Sequence, residues 1–242
     1  MAVAASWLIV AFLLLGIHST EAQIGVCYGR LGDNLPCAEE VVNLYEYYNI
    51  GAMRLYEPDL PTLEALQGTN IQLMLGVRNQ DISCIGSDQS NADDWVETNV
   101  LPYATTIKYI AVGNEIKPNS TEAPWVEPAM QNILCTLNAN GLGTKIKAVS
   151  ESGQSSGKFK KHHRFPVNFP ANFPANGDGD VVTTVENAKT YYKNLIKHVK
   201  KEGTPLRPGA IETYLFAMFD EDKKPGDESE RFYGLFTNDG HP

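Results

Sequence analysis

Basic residues are scarce in this sequence. Lys and Arg total 20 against 29 Asp and Glu over 242 residues, a net charge of −9. That balance leaves no electrostatic footprint for nucleic acid and gives no general attraction to anionic membranes. Cysteine is scarce as well: Cys27, Cys37, Cys84 and Cys135 are the full set. Their spacings fit no zinc pattern, and His162-His163 is too short and isolated to replace one, so no metal site is expected. The chain has no HExxH, no phosphate-cradling glycine loop and no GxSxG elbow. Those absences remove zinc peptidase, nucleotide-binding and serine-esterase chemistry. Long apolar runs are missing beyond Trp7–Ile17, which is too short for a hydrocarbon core of roughly 30 Å.

That one run reads as the core of a signal peptide. Thr20 and Ala22 stand at the −3 and −1 positions of a cut before Gln23, although the region before the run carries no Lys or Arg. The expectation is a removed segment 1–22 and a secreted chain, outside the cell, in the cell wall or in a vacuole. Four cysteines then allow 3 disulfide pairings, among which the sequence does not choose. Cys27 and Cys135 lie in apolar runs, where buried free thiols are common. Asn119-Ser120-Thr121 is a glycosylation sequon and predicts a surface loop.

Strand and helix patterns alternate along residues 23–156. Ile24–Tyr28, Ala52–Tyr56, Ile71–Val77, Ile107–Val112 and Lys145–Val149 read as strands. Ala38–Tyr48, Leu60–Leu66, Asn91–Leu101 and Val126–Asn140 read as helices, with Asp93 and Asp94 favoured by the macrodipole in a first turn. Most of the strands are continuous apolar runs, the mark of a parallel sheet buried on both faces. A doubly wound sheet or a (β/α)8 barrel follows. From 157 to 180 the character changes. A basic run, Lys158–Arg164, precedes the tandem tetrapeptides Phe165–Asn168, Phe169–Asn172 and Phe173–Asn176, whose prolines oppose helix and weaken strand. This segment reads as an irregular, solvated insert. An amphipathic helix over Val182–Val199 and a strand over Ile211–Phe219 then resume the pattern. Six strands result, where a closed barrel needs eight and typically about 250 residues. Residues 23–242 thus read as a single incomplete barrel domain.

Two glutamates end strands. Glu115 follows Ile107–Val112 and has Asn114 beside it; Glu151 follows Lys145–Val149. Barrel enzymes place reacting groups at the carboxyl ends of their strands. Paired carboxylates are what glycoside hydrolysis requires, one to protonate the leaving oxygen and one to attack or to activate water.

Several motifs resemble the plant endo-1,3-β-glucanases, glycoside hydrolase family 17. They are Ile24–Gly29, Met53–Tyr56, Tyr109–Glu115, Val149–Gly153 and Ile211–Glu221, with support from Val185–Ala188 and Tyr233–Phe236. The resemblance implies a (β/α)8 barrel and a retaining endo-hydrolase of 1,3-β-glucan, monomeric, without cofactor and with a part in plant defence. It implies that Glu115 is the general acid/base and Glu151 the nucleophile. Tyr56 and Asn114 would line the cleft, and Glu221, Lys224 and Glu230 would bind substrate there. The chain departs from the family in three respects, one being that the insert 157–180 has no counterpart there. Strand–helix units that normally separate the two catalytic motifs are absent between Glu115 and Glu151, and Gln154 replaces a tryptophan. A second alignment stays open, in which Phe173–Gly177 is a remnant of the family's Trp-Pro-Ser turn and Glu151 is fortuitous. A non-catalytic glucan-binding remnant is the alternative function.

Overall fold

The computed structural model describes residues 23–150, 167–168, 185–204 and 207–238. The expected signal peptide, Glu151 and all of the insert 157–180 except Val167 and Asn168 lie outside the described residues. In chain order the elements are β1 (Ile24–Tyr28), α1 (Ala38–Tyr47), β2 (Ala52–Leu55), α2 (Leu60–Ala65), β3 (Gln72–Val77), α3 (Ile82–Ser87), α4 (Gln89–Asn99) and β4 (Ile107–Val112). There follow α5 (Val126–Ala139), β5 (Lys147–Val149), β6 (Val167–Asn168), α6 (Val185–Lys197), β7 (Gly203–Thr204), β8 (Arg207–Pro208) and β9 (Thr213–Leu215).

A seven-stranded sheet runs in the order β5-β4-β3-β2-β1-β9-β6, and every pairing in it is parallel. A doubly wound sheet would reverse its order at a switch point. Here the order is monotonic and the last strand lies beside the first, which is barrel topology. Side chains alternate between two buried clusters. Val26, Met53, Leu55, Leu73, Leu75, Ile110 and Val112 face the helix layer, together with Val41, Tyr45 and Ile133. Cys27, Ala52, Met74, Tyr109, Ala111, Val149 and Tyr214 form the other cluster, on the inner face. Burial on both faces is why these strands read as unbroken apolar runs.

The sheet is rolled. Lys108 of β4 lies 3.1 Å from both carboxylate oxygens of Glu212, next to β9, and the Tyr109 hydroxyl donates to Glu212 at 2.8 Å. Strands β3, β2 and β1 intervene. In a flat sheet, four steps of about 4.8 Å would hold these groups about 19 Å apart. The fold is the (β/α)8 type, with seven strands in the sheet among the described residues.

Several sequence expectations change in detail. The strand over Ile211–Phe219 shrinks to Thr213–Leu215, because the chain beyond it bonds elsewhere: Ala217 N–H to Tyr233 O, Met218 N–H to Cys27 O and Phe236 N–H to Met218 O. The helix expected at Asn91 begins at Gln89, where the Asp88 carboxylate accepts the Ser90 N–H at 2.9 Å. Asp93 therefore lies past the first turn and bonds Gln89 and Thr136 instead. Helix α3 was not legible, being six residues long and containing Gly86, a poor helix former. Cys27 is buried, but Cys135 is exposed on α5. Asn119 is exposed, as a sequon requires. Among the described residues no helix is long and apolar enough to cross a membrane.

Candidate active site

The carboxyl ends of β1 to β4, with the segment after β9, enclose a cleft of about 610 Å³. Tyr56, Asn114, Glu115, Glu221, Lys224 and Glu230 all line it. These are the expected site residues apart from Glu151. The described chain stops at Ser150 before it resumes at Val167, so Glu151 is not among those placed.

One wall is built where β4 ends. The β3–β4 ladder continues to Gly113, whose N–H donates to Val77 O at 3.2 Å. The backbone then turns through positive φ twice, at Gly113 (79°) and Glu115 (52°), and this turn leaves Glu115 exposed at the cleft. Asn114 between them is fixed at three atoms. Its N–H donates to Asn79 Oδ1 at 2.8 Å and its carbonyl accepts from Asn79 Nδ2 at 2.9 Å. Its side-chain Oδ1 accepts from Arg54 Nη2 at 2.9 Å. Arg54 is 2% exposed and lies 4.3 Å over the Tyr56 ring. A planar guanidinium can stack on the ring and donate in its own plane together, which a lysine cannot do.

The opposite wall follows β9. Phe216 packs edge-on to Tyr56 at 6.4 Å and to Tyr233 at 5.7 Å, and its carbonyl accepts from the Tyr192 hydroxyl of α6 at 3.0 Å. Lys224 lies 4.3 Å over the Phe216 ring and pairs with Glu230 at 3.1 Å. Glu221 is 5% exposed and accepts the Leu31 N–H at 3.1 Å. Burial raises its carboxyl above the usual range, while the Leu31 N–H and Lys224 pull the other way and Glu230 adds to the rise. The two carboxyls on this wall are therefore unequal: Glu230 has an ammonium partner, and Glu221 sits in a setting that favours its proton. Burial likewise raises the Tyr28 hydroxyl, against the opposing charge of Arg30.

Aromatic rings, amide groups and carboxyls on one groove suit a neutral polyhydroxy ligand. Rings supply faces for apolar sugar edges, and the polar groups exchange hydrogen bonds with hydroxyls. Sequence reading assigned no role to Arg54, Asn79, Arg78 or Tyr233. Asn79 had a usable signal, because it follows an apolar strand in the same way as Glu115.

The sequence pattern of the glycosyl hydrolases family 17 matches residues 24–164 and 171–242. A glucan endo-1,3-β-glucosidase of Vitis vinifera is 35% identical, with 95% of this chain and 93% of that protein covered. The acidic isoform GI9 of the same enzyme from Nicotiana tabacum is also 35% identical, covering 98% and 94%. The solved structure of a β-1,3-glucanase and pollen allergen of Cryptomeria japonica superposes with a TM-score of 0.75 at 30% identity, over 91% of this chain and 97% of that one. The alignment with the Vitis protein spans 321 positions, more than the 242 residues of this chain, so that relative carries residues with no counterpart here.

Proposed function

This chain belongs to the glycosyl hydrolases family 17, and from that premise we propose that it cleaves internal 1,3-β-glucosidic bonds of β-glucan with retention of configuration. One observation carries the reading: six residues chosen from sequence, spread from Tyr56 to Glu230, line a single cleft at the carboxyl ends of the strands. Glu115 protonates the departing glycosidic oxygen. A second carboxylate attacks the anomeric carbon and forms a covalent glycosyl intermediate. Water then releases the sugar, with Glu115 now accepting the proton. Glu151 is the proposed nucleophile. Strand β5 runs parallel to β4 with Val149 level with Ala111, so β5 and β4 end on the same side of the sheet. Tyr56 and Phe216 offer aromatic faces to the glucan, and Asn114, Glu221, Lys224 and Glu230 bond its hydroxyls. The protein acts as a secreted monomer after loss of residues 1–22.

Reducing-sugar release from laminarin tests this reading. Release by the wild type, with loss in both Glu115→Gln and Glu151→Gln, is the expected result. Loss in Glu115→Gln alone removes Glu151 from the mechanism. A second reading, glucan binding without hydrolysis, is favoured by the length the Vitis relative has and this chain lacks. Retention on insoluble β-glucan with no sugar released would establish it.

A further inference from the structure

We infer that Asn79 is a positioning residue for Glu115, acting through a two-bond clamp on the Asn114 backbone. The inference rests on the acid/base reading of Glu115 and adds the group that holds that residue in place. Glu115 has a φ of 52°, a conformation that its Cβ disfavours. Its side chain is exposed and has no hydrogen-bond partner among the described residues. The direction in which its Cα–Cβ bond leaves the chain follows from the backbone of that turn. Gly113, at φ 79°, gives that turn freedom and no preference. The regular ladder stops at the Gly113 N–H.

Beyond that point the Asn79 amide takes over the pairing. It accepts from Asn114 N–H at 2.8 Å and donates to Asn114 C=O at 2.9 Å, as a neighbouring strand's backbone would. Asn79 is itself anchored. It opens a short turn in which Arg78 and Asp81 form a two-point ion pair at 2.7 and 3.0 Å, closed by Asp81 N–H donating to Arg78 O at 3.0 Å. The clamp lies outside the packed core, so its loss frees the turn and leaves the sheet standing.

The test compares the wild type with Asn79→Ala and Asn79→Asp. An aspartate keeps the acceptor for the Asn114 N–H and loses the donor to its carbonyl. A misplacement of about 1 Å can cost about 10²-fold in rate, so Asn79→Ala should lower kcat on laminarin by about that factor. KM should stay within about threefold, because the loss falls on the transition state, and Asn79→Asp should lie between. Hydrogen exchange supplies a readout that needs no activity. The Asn114 amide should exchange faster in Asn79→Ala while Ile110–Val112 remain protected. Wild-type kcat in Asn79→Ala would overturn the inference. Faster exchange along all of β4 would also overturn it, because Asn79 would then be merely structural. If the wild type releases no sugar, the acid/base reading fails separately, and an unchanged Asn114 amide would still refute the clamp.

Discussion

Gly29 and Glu221 are in such close contact that a methyl group at Gly29 would collide with a carboxylate oxygen of Glu221. Glu221 is buried and bonded to the Leu31 N–H, so a shift toward the cleft would break that bond. Gly29→Ala should therefore displace the carboxylate and destabilise the fold by about 1–3 kcal/mol, the usual range for overpacking. Urea denaturation measures this. Wild-type stability in Gly29→Ala would show that the β1 exit and the segment after β9 are not packed as described.

The raised carboxyl of Glu221 gives a pH dependence with a definite sign. The folded state holds this proton more tightly than the unfolded chain, whose reference value is 4.5. Its stabilising contribution is complete below about pH 4.5 and is lost as pH rises through the folded value. The substitution Glu221→Gln removes this titration. Melting temperatures of wild type and Glu221→Gln should diverge above pH 4.5, with the variant gaining relative to the wild type. A constant difference from pH 4 to 8 would contradict the assignment.

Arg54 ties Asn114 to Tyr56 within one wall of the cleft through one buried guanidinium. Arg54→Met would keep much of the volume and remove the donor to Asn114 Oδ1, as well as the charge over Tyr56. Losing a hydrogen bond to a charged group costs about 1.5–3 kcal/mol. Sugar affinity should fall too, because Tyr56 loses its backing. Both are accessible, by denaturation and by calorimetry with laminari-oligosaccharides. An unaltered variant would deny Arg54 this role.

For the chemical step, Glu115→Gln removes the proton donor. General acid catalysis typically contributes roughly 10²–10⁴-fold, and kcat on laminarin should fall within that range. An aryl β-glucoside with a good leaving group needs less protonation, so its glycosylation step should suffer far less. Equal losses on both substrates would mean that Glu115 does not act as the acid.

Much of this architecture was visible in the sequence. Strands buried on both faces leave apolar runs such as Ile107–Val112, and residues at their ends stand where the chain turns into a cleft. Glu115 and Asn114 were read on that basis, and Tyr56 through the family resemblance; all three line the cleft. Asn79 also follows such a strand, but its pairing with Asn114 across 35 positions, like that of Arg54 with Asn114 across 60, was not legible. Local patterns do not encode such distances. The end of β9 was misjudged for a related reason. Phe216–Phe219 is as apolar as a strand, but its hydrogen bonds go to Cys27 and to the C-terminal segment.

The pairing of β1 with β9 also has a consequence for synthesis. Residues 24–26 find their partners at 213–215, near the far end of the chain. During translation one flank of β1 must remain open until almost the whole polypeptide has left the ribosome. Such late closure slows folding and prolongs exposure of an unpaired apolar edge. A chain released before residue 213 would keep that edge permanently, along with the Lys108 ammonium that Glu212 meets in the finished protein. Cellular quality control would then meet a sticky, half-rolled sheet, and chain completion becomes the step that separates a soluble product from an aggregate.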